Sequence, residues 1–193
     1  MRGINLKLSY GTQIIYDDAC FNIPSHSKVG IVGVNGAGKT TLFKVILGQL
    51  QLESGTIIKD DENIGYLPQE IDFAGLEMTV WDYLYSSRGI DDLKEQLTNT
   101  YMQLTECSPR DEKRLLKKAA RLQDRLDILG EYDAEQELLE LIEEMNIDVD
   151  LLDMKVSTLS GGQKSKIAFA HLLFSASSLI LLDEPTNHLD STT

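Results

Sequence analysis

The chain switches between two hydrophobic periods. In "INLKLSY", residues 4–10, Ile4, Leu6 and Leu8 alternate with polar neighbours, the period of a half-buried strand. "IIYDDACFNI" predicts a second strand. "KVGIVG", residues 28–33, is a short apolar run ending in glycine, the pattern of a buried parallel strand. The period then becomes helical in "TTLFKVILGQL", where Leu42, Val45, Ile46 and Leu50 share a side. "GTIIK" and "NIGYL" return to strands. From about residue 80 to 155 the chain is charged, poor in glycine and helical in period.

Three stripes organise that helical stretch. Leu93, Leu97, Tyr101 and Leu104 form the first. "CSPRD" breaks it: Ser108 suits an N-cap, Pro109 the first helical position and Asp111 the reciprocal capping position. Leu115, Ala119, Leu122, Leu126 and Leu129 form the second stripe, so the two helices can pair as an antiparallel hairpin at about 91–129. "YDAEQELLELIEEM" predicts a third helix with Ala134, Leu138, Leu141, Ile142 and Met145 inward, and Trp81 packs where the helical part begins. Residues 157–193 give one more helix and the strand "SLILLD". The expected organisation is an α/β core, residues 1–80 and 157–193, interrupted by a helical subdomain at 81–156.

Composition narrows the function. At 193 residues the chain suits one domain with a modest insertion. With 31 acidic and 18 basic residues its formal charge is −13, which argues against non-specific nucleic-acid binding by the whole surface. A local exception is Arg110, Arg114, Lys117, Lys118, Arg121 and Arg125, at helical spacing on one side of the second hairpin helix. By spacing alone this stripe is either a solvated face with local ion pairs or a surface that positions the chain on phosphates. No apolar run approaches a membrane span, and the N-terminus has no signal-peptide hydrophobic region. Two cysteines make no disulfide framework, so a cytoplasmic protein with free thiols is expected, Cys20 in the core and Cys107 exposed at the hairpin turn. His26, His171 and His188 are scattered; His171 reads as packed rather than catalytic.

Two motifs carry chemistry. "GVNGAGKT", Gly33 to Thr40, fits the phosphate-loop pattern without a mismatch. Its glycines let backbone N–H groups point inward at phosphate oxygens, and the following helix aims its positive end at the same place. Gly33, Asn35, Gly36, Ala37, Gly38, Lys39, Thr40 and Thr41 are the candidate nucleotide contacts, Lys39 supplying charge and Thr40 a hydroxyl to Mg²⁺. "SLILLDEP" drives a strand up to Asp183 and Glu184, where α/β sheets bind ligands. Asp183 would hold Mg²⁺, and Glu184 would take a proton from attacking water or orient it. Taken alone, the pair could equally be an acidic turn before Pro185.

A third motif, "LSGGQ" at Leu159–Gln163, opens a helix that Ser160 can cap, with two glycines that let an anion approach closely. With it the chain resembles the ATP-binding cassette (ABC) family, whose signature is this pentapeptide. The resemblance covers essentially the whole chain. It implies a P-loop ATPase fold with an antiparallel β subdomain and a helical subdomain, and the cofactors ATP and Mg²⁺. Tyr10 in "SYG" matches the aromatic that stacks on adenine. Gln69 in "YLPQE" matches the glutamine that reaches Mg²⁺ and the attacking water. Asp190, ending "NHLD", matches the D-loop. In that family two cassettes face each other, so Ser160, Gly161, Gly162 and Gln163 would contact nucleotide held by a partner cassette.

The long stretch between Gln69 and Ser160, its hairpin, "LGEYDAEQELLELIEEMNI" and "DEPTNHLD" resemble the ABC-F branch. Its members carry two cassettes on one chain, lack a membrane domain and act at the ribosome as translation factors or antibiotic-protection proteins. The hairpin resembles their arm, which favours the RNA reading of the basic stripe. The alternative is the ATPase subunit of a membrane transporter. The family's switch histidine lies on a strand beyond the D-loop, so the resemblance implies a first cassette that is incomplete at its C-terminal side, and little steady ATPase activity from these residues alone.

Overall fold

The computed structural model describes residues 1–59, 63–130 and 133–184. Pro185, His188 and the D-loop Asp190 lie outside the described residues. The described chain divides into two compact units, one of residues 1–68 and 177–184, the other of residues 69–176.

The first unit holds two small sheets and a helix. β1 (Arg2–Tyr10) lies between β2 (Gln13–Asn22) and β3 (Ser54–Ile58), antiparallel to both. The expected alternation of Ile4, Leu6 and Leu8 is broken. Gly3, Leu6 and Leu8 are buried, whereas Ile4 is 43% exposed. The cause is local: Asn5 adopts a left-handed φ of 51°, and the β1–β2 register shifts between Gly3 and Leu6. A bulge of this kind swaps which face the following residues occupy. Gly3 is required there, because a Cβ would lie 2.3 Å from Phe21 Cε1. Cys20, expected in the core, is exposed, and its Sγ accepts from the Asn5 N–H at 3.3 Å.

Helix α1 (Lys39–Ile46) buries Phe43 and Ile46 against Leu181 of β5 (Leu179–Leu182). Each such side chain contributes about 1.5–3 kcal/mol relative to exposure. Tyr66 of β4 (Ile64–Leu67) meets Phe43 edge-on, ring centroids 6.1 Å apart. β4 and β5 pair in parallel, from Ile64 opposite Leu179 to Leu67 opposite Leu182.

Residues 28–33, expected as a buried parallel strand, form no strand. Val32 is 97% and Val34 79% exposed, and Val29 and Ile31 are also exposed. Among the described residues β4 and β5 pair only with each other, and 28–33 joins neither of them. An apolar run becomes a strand only when its N–H and C=O groups find partners.

The second unit is helical: α2 (Val80–Ser86), α3 (Ile90–Glu106), α4 (Pro109–Ile128), α5 (Ala134–Glu144) and α6 (Gly161–Phe174). Two 3-10 turns, Val149–Leu151 and Val156–Thr158, lead into α6. Leu115, Ala119, Leu122 and Leu126 are buried along α4, as the stripe requires. On α3 the stripe runs Leu93, Leu97, Thr100, Leu104, and Tyr101 is exposed instead. Thr100 fits a fully buried site because its hydroxyl donates to the Gln96 carbonyl at 2.7 Å. Ser108 does sit at the N-cap of α4, but its hydroxyl donates to the Asp111 carboxylate at 2.9 Å rather than accepting a backbone N–H.

One cation ties this unit together. Arg88 donates from Nε to the Phe174 carbonyl at 3.2 Å and from Nη1 to the Leu129 carbonyl at 3.1 Å. Its Nη2 pairs with Glu137, and its guanidinium lies 4.0 Å over the Phe174 ring. Four contacts from one planar fork bind the ends of α4 and α6 to α5. Nearby in the same unit, His171 of α6 stacks on Tyr83, centroids 4.3 Å apart, so it is packed as the sequence suggested.

Arg88→Ala leaves two carbonyls without this donor and should cost about 2–4 kcal/mol in urea unfolding. Arg88→Lys should recover little of it, since an ammonium cannot span the three acceptors; full recovery would refute the fork geometry. Burial pushes the His171 imidazole down to about 4 from its ordinary 6.5. The folded chain therefore resists a proton that the unfolded chain accepts, so this contribution is whole above about 6.5 and drains away as pH falls toward 4. His171→Phe should make stability fall less steeply between pH 7 and 4.5, and an unchanged slope would exclude His171 as the cause.

Candidate functional site

The phosphate-loop residues sit where chain direction changes. Gly36 and Gly38 have φ of 81° and 95°, values an L side chain rarely adopts. Gly38 is the N-cap of α1, and a Cβ there would lie 2.8 Å from Ile15 Cγ2. The loop closes on itself through the Ala37 N–H, which donates to the Val34 carbonyl at 3.1 Å. Lys39 folds back over it: Nζ donates to the carbonyls of Gly33 at 2.9 Å and Val34 at 3.1 Å. Among the described residues, the amides of Asn35, Gly36, Gly38, Lys39, Thr40 and Thr41 have no hydrogen-bond acceptor. Free N–H groups at a helix N-terminus, beside a lysine, form an anion cradle.

The β4–β5 register brings the carboxyl ends of those strands side by side, and the Asp183 N–H extends the ladder to the Leu67 carbonyl at 3.0 Å. Asp183 is 3% exposed, and Tyr66 donates its hydroxyl to Asp183 Oδ2 at 3.3 Å. Burial first, then the Asp183 charge and this bond, push the Tyr66 phenol above its ordinary value, so it stays a donor. Glu184 follows with a left-handed φ of 48°. A buried carboxylate and the Thr40 hydroxyl are hard oxygen donors of the type Mg²⁺ takes, the remaining positions going to water and phosphate oxygens. Tyr10, at the end of β1 opposite Gln13, is 51% exposed and so presents a ring to solvent.

In the second unit, Ser160 is the N-cap of α6, and its hydroxyl accepts from the Gln163 N–H at 3.4 Å while Gln163 Oε1 accepts from the Ser160 N–H at 2.8 Å. This reciprocal capping box leaves Gly161 and Gly162 exposed at the helix start. Gln69, also in this unit, is exposed two positions beyond β4. Arg110, Arg114, Lys117, Lys118, Arg121 and Arg125 are all exposed along α4, away from its buried stripe. Arg114 pairs with Asp111 at 3.3 Å, and the other five make no ion pair with a described residue.

Tyr16 and Tyr66 are the residues that sequence reasoning missed. Both reach functional segments through a hydroxyl: Tyr66 meets Asp183, and Tyr16 of β2 donates to the Gly38 carbonyl. The available signal was a phenol beside apolar strand neighbours, Ile14 and Ile15 for Tyr16 and Leu67 for Tyr66, which usually needs a partner when buried.

The family model described as ABC transporter matches residues 16–187. The chain belongs to the ABC transporter family. It is this family's ATP-binding domain, and its α/β architecture with an antiparallel sheet and a helical subdomain is that domain's fold. It is 34% identical over 187 residues to the energy-dependent translational throttle protein EttA of Escherichia coli K12, covering 96% of this chain and 27% of that protein. It is 30% identical over 191 residues to ABC transporter F family member 5 of Arabidopsis thaliana, covering 96% of this chain and 28% of that one. The chain thus spans less than a third of either relative. A solved ATP-binding subunit of an ABC transporter matches with a TM-score of 0.71 at 20% identity, over 98% of this chain and 68% of that one, a likeness of fold. No helix among the described residues is long and apolar enough to cross a membrane.

Proposed function

We propose that this cassette belongs to an ABC-F ATPase acting at the ribosome in the cytoplasm, in translation or in protection from an antibiotic. The observation that carries this reading is the α3–α4 hairpin with its exposed cationic face. Five cations along one helix that pair with no described acid, on a chain of charge −13, suit a phosphate backbone better than local ion pairs. They would position the protein without reading sequence. The names of the two relatives, a translational throttle and an F family member, support the same branch.

The ATPase chemistry follows from the cradle. Lys39 leaves the Gly33 and Val34 carbonyls for the β and γ phosphates, and the amides of Asn35, Gly36, Gly38, Lys39, Thr40 and Thr41 hold their oxygens. Tyr10 stacks on the adenine. Thr40 and Asp183 would hold Mg²⁺, which would supply charge neutralisation for the transferring phosphoryl group, and Gln69 is the further candidate ligand that the family resemblance implies. Glu184 orients the attacking water or takes its proton. Ser160, Gly161, Gly162 and Gln163 face nucleotide held by a second cassette, and Asp190 lies at the edge of that contact. Closure on ATP and reopening on hydrolysis couple the site to the hairpin's partner. Under the second reading, a transporter ATPase, the helical unit docks a membrane partner instead.

In the intact protein, reversing Arg114, Lys117 and Arg121 to Glu should weaken ribosome association in sedimentation at least tenfold and leave MgATP affinity unchanged. Lys39→Ala should do the opposite and abolish tight MgATP binding at this site. Ribosome association unaffected by the triple reversal would overturn the ABC-F reading, and MgATP affinity unaffected by Lys39→Ala would overturn the loop assignment.

A further inference from the structure

We propose that Tyr16 is a positioning residue for the phosphate loop: its hydroxyl locks the Gly38–Lys39 peptide so that the Lys39 N–H faces the bound phosphates. The proposal rests on the reading of residues 33–41 as the nucleotide cradle. Tyr16 stands on β2 opposite the buried Leu8, outside the loop in sequence. Its hydroxyl donates to the Gly38 carbonyl, which also accepts the Leu42 N–H at 2.9 Å. That second bond is the first intrahelical bond of α1. The Gly38 carbonyl thus has both lone pairs engaged, one by the helix and one by a side chain from the sheet.

A trans peptide points its C=O and the following N–H in opposite directions. Fixing the Gly38 carbonyl toward Tyr16 and Leu42 therefore fixes the Lys39 N–H on the other side, where it has no acceptor among the described residues. The lock matters at this peptide because Gly38, at φ 95°, has no side chain to restrain it. A Cβ at Gly38 would also lie 3.0 Å from the Tyr16 hydroxyl, so glycine and tyrosine are fitted to each other. Burial, and then the neighbouring Tyr10, push the Tyr16 phenol up to about 12, so it remains protonated and able to donate at neutral pH. Other loop carbonyls are engaged differently: Gly33 and Val34 are held by Lys39 Nζ, a bond that must break if the ammonium moves to a phosphate. The Tyr16 bond involves no group that nucleotide would displace. It is the restraint that persists when the site fills.

Tyr16→Phe keeps the ring and removes only the hydroxyl. In the intact protein, MgATP dissociation constants from equilibrium titration and thermal midpoints without nucleotide are compared for the native chain, Tyr16→Phe and Lys39→Ala. The expected result is a roughly three- to tenfold weaker MgATP affinity for Tyr16→Phe, the worth of one net hydrogen bond, with its nucleotide-free midpoint within about two degrees of native. Lys39→Ala should lose tight binding altogether. Native affinity for Tyr16→Phe beside lost binding for Lys39→Ala overturns the positioning role and leaves the site standing. Native affinity for both variants overturns the cradle itself. A Tyr16→Phe chain whose midpoint drops by many degrees along with its affinity overturns positioning in favour of a packing role.

Discussion

A backbone amide can bind an anion only if it has no acceptor of its own and its peptide is held from turning away. Residues 33–41 meet the first condition at six positions: the amides of Asn35, Gly36, Gly38, Lys39, Thr40 and Thr41 have no acceptor among the described residues. The loop's carbonyls are held meanwhile, Val34 by Ala37, Gly33 and Val34 by Lys39, and Gly38 by Tyr16 and Leu42. The second condition depends on what surrounds the loop. α1 is anchored by Phe43 and Ile46 against Leu181, and β2 supplies Tyr16. The same Leu181 lies on the strand that ends at Asp183. One small cluster therefore holds both halves of the proposed site, the loop of free amides and the Asp183 carboxylate.

The helical unit is built on a different economy of contacts. Its long α4 devotes one face to Leu115, Ala119, Leu122 and Leu126 and leaves another to exposed cations. Arg88 closes the base of this arrangement by binding the carbonyl ends of α4 and α6, which lets a single cation couple the hairpin to the helix that opens with the signature. Ser160 and Gln163 spend their first hydrogen bonds on each other, which fixes the backbone at Gly161 and Gly162 before any ligand arrives. Preorganisation of that kind lowers the cost of ordering a site on binding.

Much of this was legible in the sequence because it was local. The phosphate loop, the hairpin, the capping serine of α6 and the buried stripe of α4 depend on spacing and on residue type within a few turns. The misreadings came from pairing and hydrogen bonding, near and far, that spacing does not encode. The apolar run 28–33 has the composition of a buried strand, yet pairing and burial depend on what lies beside it, and Val32 stands exposed. Ile4 follows the strand period but falls before a bulge that only Asn5's left-handed φ creates. Tyr101 and Thr100 exchange expected places because a threonine can satisfy its hydroxyl within its own helix. The hydroxyls of Tyr16 and Tyr66 act on residues 22 and 117 positions away, distances at which periodicity carries no information.

The central claim is that the 33–41 cradle is a nucleotide-phosphate site poised in its unliganded form. The most direct test is an experimental structure of the intact protein with Mg²⁺ and a non-hydrolysable ATP analogue. The expected result has Lys39 Nζ withdrawn from the Gly33 and Val34 carbonyls and bonded to phosphate oxygens, the amides of Gly36, Gly38, Lys39, Thr40 and Thr41 within hydrogen-bond distance of the phosphates, and the Tyr16–Gly38 bond intact. Lys39 still bonded to its own loop, with the nucleotide held elsewhere, would contradict it.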